Sequence, residues 1–482
     1  MGAVDRARGW LRPIVYLGTN WVTLLGAILT TSGGVTLVAF WVLEATSPRP
    51  TNPYAGIAFF LILPAFFVLG LVLMPLGILW RRRSLRARGE LPAAYPKVDL
   101  GQPALRKAAT LFAILTLANV VIAGASTYKS VEYMESNQFC GLTCHTVMAP
   151  EYTAFLDSPH SRVGCVQCHI GPGAGWFVRS KLAGTRQLVA VALRTYSRPI
   201  PSPVHHLRPA RETCEQCHWP QKFQGDKFLV RTKYAADETN TASTTVLVLK
   251  IGGHNAKGGS GIHGRHLADV ERISYLSTDG RRQVIPRVVW RDDDGKEVEF
   301  VSADVKVSPE DLARAEHRKM DCVDCHNRPT HAFEVPERAV DQALTDGRIS
   351  RDLPYIKKKA VEVLRQEYPD RETAGQKIPA TLGEYYKASH PDVYEKRRAL
   401  VESAGAAVKA IYLRNVFPNM KVTWGIHPNN LGHEDFLGCF RCHDDNHKAP
   451  DGRTITQDCT ACHNILAMDE TDPKVLADLG LQ

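Results

Sequence analysis

The first 144 residues contain no histidine, although three apolar runs crowd this quarter of the chain. That absence excludes a cofactor held by imidazoles inside those runs. No cysteine stands alone. All 12 fall into six close pairs, which leaves no odd thiol for a lone nucleophile or an intermolecular bridge. Nothing resembles an RNP motif, a zinc finger or a basic recognition helix, so the formal net charge of +9 does not indicate a nucleic-acid partner. No A-x-A cleavage site follows the first apolar run, which therefore reads as a retained helix and not a removed signal peptide.

What is present is a repeated motif. The pairs are Cys140/Cys144, Cys165/Cys168, Cys214/Cys217, Cys322/Cys325, Cys439/Cys442 and Cys459/Cys462. A histidine follows each at once: His145, His169, His218, His326, His443 and His463. With 18 histidines in 482 residues, six such coincidences have a chance probability on the order of one in a billion. Zinc ribbons and disulfides impose no such rule. CxxCH is the attachment signature of c-type haem: two thiols bond to the macrocycle and the histidine ligates the iron. The first site, CGLTCH, has one extra residue between its cysteines and is read as the same chemistry. Six haems would bring roughly twelve propionates and move the net charge to zero or below.

The length allows two or three domains. Residues 21–43, 54–80 and 108–125, within a region 1–125, are long enough to span a bilayer. Pro64 and Pro75 would kink the second run, and Asn119 lies in the third, which is the shortest. Arg6, Arg8 and Arg12 precede the first run, and Arg81, Arg82, Arg83, Arg86, Arg88, Lys97, Arg106 and Lys107 follow the second. The loop between the first two has only Glu44 and Arg49. The positive-inside rule then puts the N-terminus in the cytoplasm and every motif outside it, where bacteria attach c-type haem. The expected location is the bacterial inner membrane, multi-pass, with the haem region in the periplasm.

Residues 126–222 carry three motifs with little room for a protein core, so haem itself is the expected filling. Within them, 171–196 read as a helix at the membrane interface, with Trp176 and Phe177 near its start and Arg179, Lys181 and Arg186 as cations. Residues 223–305 change to β-branched runs with Asp279-Gly280 and Asp294-Gly295 turns, a small antiparallel insertion. The fourth motif lies in 306–334, a helical region in 335–426 and the last two motifs in 427–482, with a short helix or tail after His463. The expected fold class is a membrane-anchored multihaem cytochrome c. It has an N-terminal three-helix transmembrane bundle and a haem-packed, mostly α and irregular periplasmic domain with that β insertion.

Six irons take up to six more axial ligands, and twelve other histidines are available. His160 lies just before the second motif, His317 and His331 bracket the fourth, and His433 and His447 bracket the fifth. These five are the candidates for haems two to six. His205, His206, His254, His263, His266, His390 and His427 are left without that role. For the first haem the ligand is His145 or Met148, whose thioether would raise the potential.

Around these residues the chain resembles the NapC/NirT/NrfH family of quinol dehydrogenases. The matches are CHTVM, SPHSRVGCVQCH with His160, and AEHRKMDCVDCHNRPTH with His317 and His331. In that family the corresponding histidines are distal ligands. Members usually have one span and four haems. Three spans, a β insertion and two further motifs look like the longer inner-membrane cytochromes of metal-respiring bacteria, which pass menaquinol electrons to periplasmic carriers. The resemblance implies that Lys181 lines a quinol pocket. No carboxylate falls where the family has one, and Gln187 is the nearest polar residue there. Glu151, beside the first motif, is the physical alternative as proton acceptor.

The expected activity is therefore oxidation of membrane quinol, with electrons passing through six haems to a periplasmic cytochrome or reductase in anaerobic respiration. An electron-transfer subunit without its own quinol site and a terminal reductase of a small oxidant such as nitrite are the alternatives. The spans also allow homo- or hetero-oligomers.

Overall fold

The computed structural model describes residues 12–46, 58–95, 103–143, 145–204, 207–219, 225–252, 261–267, 272–292 and 294–480. It divides into a unit ending at Cys144 and a second beginning at His145.

The first unit contains three helices long and apolar enough to cross a membrane: α1 (Trp21–Thr46), α2 (Leu63–Ala87) and α3 (Pro103–Met134). Small residues let α1 and α2 approach closely. A Cβ on Gly70 would stand 2.4 Å from Thr30 Oγ1, and one on Gly26 would stand 2.7 Å from the Gly70 carbonyl. Where lipid tails are as apolar as leucine, such contact supplies the association. Pro64 lies in the first turn of α2, directly after a π-helical turn at Ala58–Ile62, and only Pro75 is interior to α2. The apolar run expected to end at residue 125 continues as helix to Met134, supported by a Lys129–Glu132 ion pair at 2.8 Å. At 32 residues α3 is about 48 Å long, longer than the roughly 30 Å hydrocarbon layer. Phe40 stacks on Phe59, Phe60 on Tyr133, and Phe139 meets Tyr133 edge-on, an aromatic cluster beside Cys140.

The second unit opens with α4 (His145–Leu156), α5 (Cys165–His169), α6 (Ala174–Ala192) and α7 (Ala210–Cys214). Strands β1 (Lys227–Tyr234) and β2 (Ala242–Leu249) follow, then α8 (Ile262–Leu267). Next are β3 (Ile273–Ser277), β4 (Arg287–Arg291), β5 (Glu297–Ser302), α9 (Pro309–Arg314) and β6 (Glu316–Lys319). The β region is not self-contained. Its five-stranded sheet runs β6-β3-β4-β5-β7, where β7 is His447–Lys448 from the fifth-motif region. The three-stranded sheet is completed by β8 (His463–Glu470), so a strand comes directly after the last motif and the expected short helix follows it at Lys474–Asp478. Alternation explains the assignment: along β5, Val298, Phe300 and Ser302 point inward and their neighbours outward.

The fourth motif forms α10 (Cys322–Cys325). Helices α11 (Pro336–Thr345), α12 (Ile356–Leu364), α13 (Arg371–Ser389), α14 (Pro391–Lys396) and α15 (Arg398–Asn415) hold the largest apolar core, with Leu353, Ile356, Ile378, Leu382 and Tyr386 fully buried. Each such side chain contributes about 1.5–3 kcal/mol. By contrast no residue of α6 is buried. The last motif forms α16 (Cys459–Cys462), and α17 (Lys474–Asp478) ends the described chain.

Candidate haem centres and quinol site

The second to sixth motifs are brought together in chain order. The second lies on α5, whose Cys168 faces the Cys214 and Cys217 thiols of the third. Cys214 lies against Cys322 of the fourth. Cys325 faces Cys439 of the fifth, and Cys439 faces Cys462 of the sixth. Main-chain contacts reinforce these neighbours. The Asp321 carboxylate, which caps α10, accepts the Ala210 N–H of α7 at 3.0 Å. Arg441, between the cysteines of the fifth motif, donates to the Asp324 carbonyl between those of the fourth, at 2.7 Å. Gly438 makes the turn into the fifth motif. Its φ is +48°, and a Cβ there would fall 1.7 Å from the Gly432 carbonyl oxygen.

Histidine rings face the proximal histidines in pairs. His331 stands opposite His169 with ring centroids 6.2 Å apart, and His160 opposite His218 at 6.0 Å. His263 stands opposite His326 at 6.3 Å, His266 opposite His443 at 5.8 Å, and His433 opposite His463 at 6.2 Å. An iron held by two imidazole nitrogens at roughly 2 Å each sets ring centroids roughly 6 Å apart, so the residues present fit a bis-histidine haem. His160, His263, His266, His331 and His443 each donate from Nδ1 to a main-chain carbonyl, of Pro329, Ile251, Ile262, Glu151 and Thr456 respectively. That hydrogen bond fixes the tautomer with the lone pair on Nε2. Burial pushes the pKa of His169, His266, His326, His331 and His463 down, which favours the neutral ring that ligation requires. Among the described residues, none of the cysteines from Cys168 onward is in a disulfide. Among the described residues no three His, Cys, Asp or Glu side chains converge as a chelating cluster, which is unlike a zinc ribbon.

Two expected ligands are placed otherwise. His447 is buried with Nδ1 against the Asp444 carboxylate at 2.9 Å and Nε2 donating to the Ile285 carbonyl at 2.8 Å. Both nitrogens are occupied by protein, and the geometry argues against a metal role. His317 is exposed on edge strand β6, in register with Leu276. His263 and His266, which the sequence reading passed over, stand where those two were expected. The signal was an H-x-x-H spacing on one helical turn, hidden in a glycine-rich stretch distant from every motif.

At the first motif, Cys140 lies on a π-helical turn, Phe139–Thr143, and His145 opens α4. Cys144 and the His145 side chain lie outside the described residues, as do His205, His206 and His254. Met148 is half-buried on α4. Glu151, one turn on, is enclosed between Arg328 and His331, each 3.5 Å from its carboxylate. Burial raises its pKa, and the Arg328 cation opposes that rise. On α6, Lys181 extends over the Phe177 ring at 4.7 Å, and Gln187 is exposed. Val178, Leu182, Val189 and Leu193 are all more than half exposed. Their spacing puts them on one stripe of the helix and its end.

The NapC/NirT cytochrome c family, N-terminal region, matches residues 103–199. The cytochrome c-type protein ImcH of Geobacter sulfurreducens is 42% identical over 451 residues, 93% of this chain and 88% of that protein. The cytochrome c-type protein NrfH of Wolinella succinogenes is 31% identical over 111 residues, 22% of this chain and 61% of that protein. No solved structure gives a significant match. The motifs, the facing histidines and the near-full-length likeness agree: the chain belongs to the NapC/NirT family of cytochromes c.

Proposed function

We propose that the protein oxidises membrane quinol, menaquinol by its resemblance to the cytochromes of metal-respiring bacteria, and passes the electrons through six covalently bound haems to a periplasmic acceptor. Membership of the family makes it a haem-binding electron-transport protein, and three helices suit a membrane anchor. The haem supplies one-electron chemistry when bound. The six motif cysteine pairs and His169, His218, His326, His443 and His463 would hold it, with His160, His331 and His433 as distal ligands and His145 or Met148 at the first iron.

The observation that carries the quinol reading is α6. It follows directly on the second motif and leaves an apolar stripe uncovered, interleaved with Arg179, Lys181 and Arg186. A helix of that composition rests in the interfacial layer of a bilayer, where a lipophilic substrate arrives. Arg208 sets the start of α6 by donating to the Pro172 carbonyl and lying over Trp176. Lys181 or Glu151 then takes up the quinol protons, Gln187 lying on the same helix as Lys181. From the second motif the chain-ordered contacts lead away to the sixth.

The test is anaerobic addition of a menaquinol analogue to the detergent-solubilised protein, following the reduced c-haem band, with dithionite as the full-reduction control. Reduction that a quinol-site inhibitor blocks is the expected result. Reduction by dithionite alone would make the helices an anchor and place the quinol chemistry in a partner subunit.

A further inference from the structure

We propose that His263 and His266, three residues apart on α8, are the distal ligands of the haems attached at Cys322/Cys325 and at Cys439/Cys442, so that one turn of helix holds two successive haems. The inference rests on the haem reading of the motifs and replaces His317 and His447 in it.

Positions three apart on a helix share a face, so one short helix presents both rings together. They meet different partners. His263 lies nearly parallel to His326, at 9°, whereas His266 is inclined 53° to His443. Each ring is oriented by an Nδ1 hydrogen bond to a main-chain carbonyl, at 2.6 Å for His263 and 2.8 Å for His266. The helix is itself anchored. The Ile262 N–H donates to the Lys250 carbonyl at 2.7 Å, and a Cβ on Gly261 would stand 2.2 Å from that same oxygen. At its far end Arg211 donates to the Leu267 carbonyl at 2.7 Å.

An independent contact brings the same two motifs together. Arg441 is buried and spans from the fifth motif to the Asp324 carbonyl of the fourth, and Asn430 donates to that carbonyl at 3.1 Å. The two haem-bearing loops are therefore neighbours whether or not α8 is considered. The helix adds a shared fixture, because a shift in α8 moves both rings.

The experiment uses the full chain in detergent, with haem content by the pyridine haemochrome assay and spin state by electron paramagnetic resonance. Wild type is expected to carry six low-spin or Met-type haems; a haem count other than six would overturn the haem reading itself. His266→Gly and His263→Gly are each expected to keep that count and convert one further haem to high spin, which added imidazole returns to low spin. The double variant converts two. His317→Gly and His447→Gly leave the spin states unchanged. A His263→Gly or His266→Gly protein with no new high-spin haem overturns the assignment, as does a new high-spin haem in either control. Should a glycine variant fail to accumulate, His263→Met and His266→Met each retain a ligand and are expected to raise the potential of one haem. An unchanged redox titration in those proteins would equally overturn it.

Discussion

Arg441 Nη2 donates to the Asp324 carbonyl at 2.7 Å, joining the second intervening residue of one haem motif to its counterpart in the next. The same guanidinium reaches the Arg282 carbonyl at 2.7 Å and the Gly438 carbonyl at 2.8 Å. Three carbonyl acceptors share it, and Asp324 also accepts from Asn430. Arg441→Met is expected to destabilise the second unit by about 2–4 kcal/mol, since hydrogen bonds to a charged donor are worth more than neutral ones and the Arg282 and Gly438 carbonyls lose this donor. Thermal unfolding followed by circular dichroism checks this. A midpoint equal to wild type would show that the loops hold one another without it.

Lys181 and Glu151 make separable predictions. If Lys181 takes the proton, Lys181→Met lowers quinol-dependent reduction by ~10²-fold and leaves dithionite reduction unchanged. If Glu151 does, Glu151→Gln has that effect and Lys181→Met does not. Stopped-flow measurement of the c-haem band reads both, and full activity in the two variants would remove these residues from the quinol chemistry.

His427 gives the acid side of the stability profile a specific shape. It is buried beside Phe333 and its pKa falls to about 3, first through desolvation and then through the Arg328 and Arg281 cations. The unfolded chain takes up a proton on this ring below about pH 6.5, and the folded chain does not until about pH 3. Its effect on stability is therefore nil above that window and destabilising as pH falls through it, by at most about 1.4 kcal/mol per pH unit. His427→Phe is expected to flatten the fall in unfolding midpoint over that range. An unaltered slope would show that the ring is protonated in the fold.

The facing rings differ in mutual inclination, 72° for His160 and His218 against 9° for His263 and His326. Crossed and parallel imidazole planes give distinguishable low-spin signals in electron paramagnetic resonance. Both types are expected in the oxidised protein, and loss of the crossed-plane signal in His160→Met would attach it to His160.

Trp176 tests the interface position of α6. In nanodiscs containing brominated lipid, the quenched part of the tryptophan emission is expected to shrink in Trp176→Phe. No change in the quenched fraction would lift α6 away from the lipid.

The cysteine–histidine motifs stand out in the sequence because covalent attachment of haem would constrain adjacent residues. Two thiols and an imidazole must meet one macrocycle, and that leaves a local mark. The facing histidines leave none, because a ring such as His263 meets His326 only through the fold. Nearness in sequence therefore selected His317 and His447, one on an exposed strand and one tied to Asp444 and Ile285. The transmembrane runs were legible by length, but their helical limits were not: Ser126, Thr127 and Tyr128 continue α3 although they are less apolar than what precedes them. Strand β8 was missed for a related reason. Its partner β2 is remote in sequence, and pairing with an existing strand overrode a weak local pattern.

That pairing bears on how the protein is made. Asp469 N–H donates to Thr245 Oγ1, 224 residues earlier, and Lys250 N–H donates to the Cys462 carbonyl. A segment late in the chain thus closes a sheet begun midway along it. Contacts of such long separation form late, because loop closure precedes their reward. The sixth motif adjoins that closing strand, so Cys459 and Cys462 take their folded places only once this remote pairing is made.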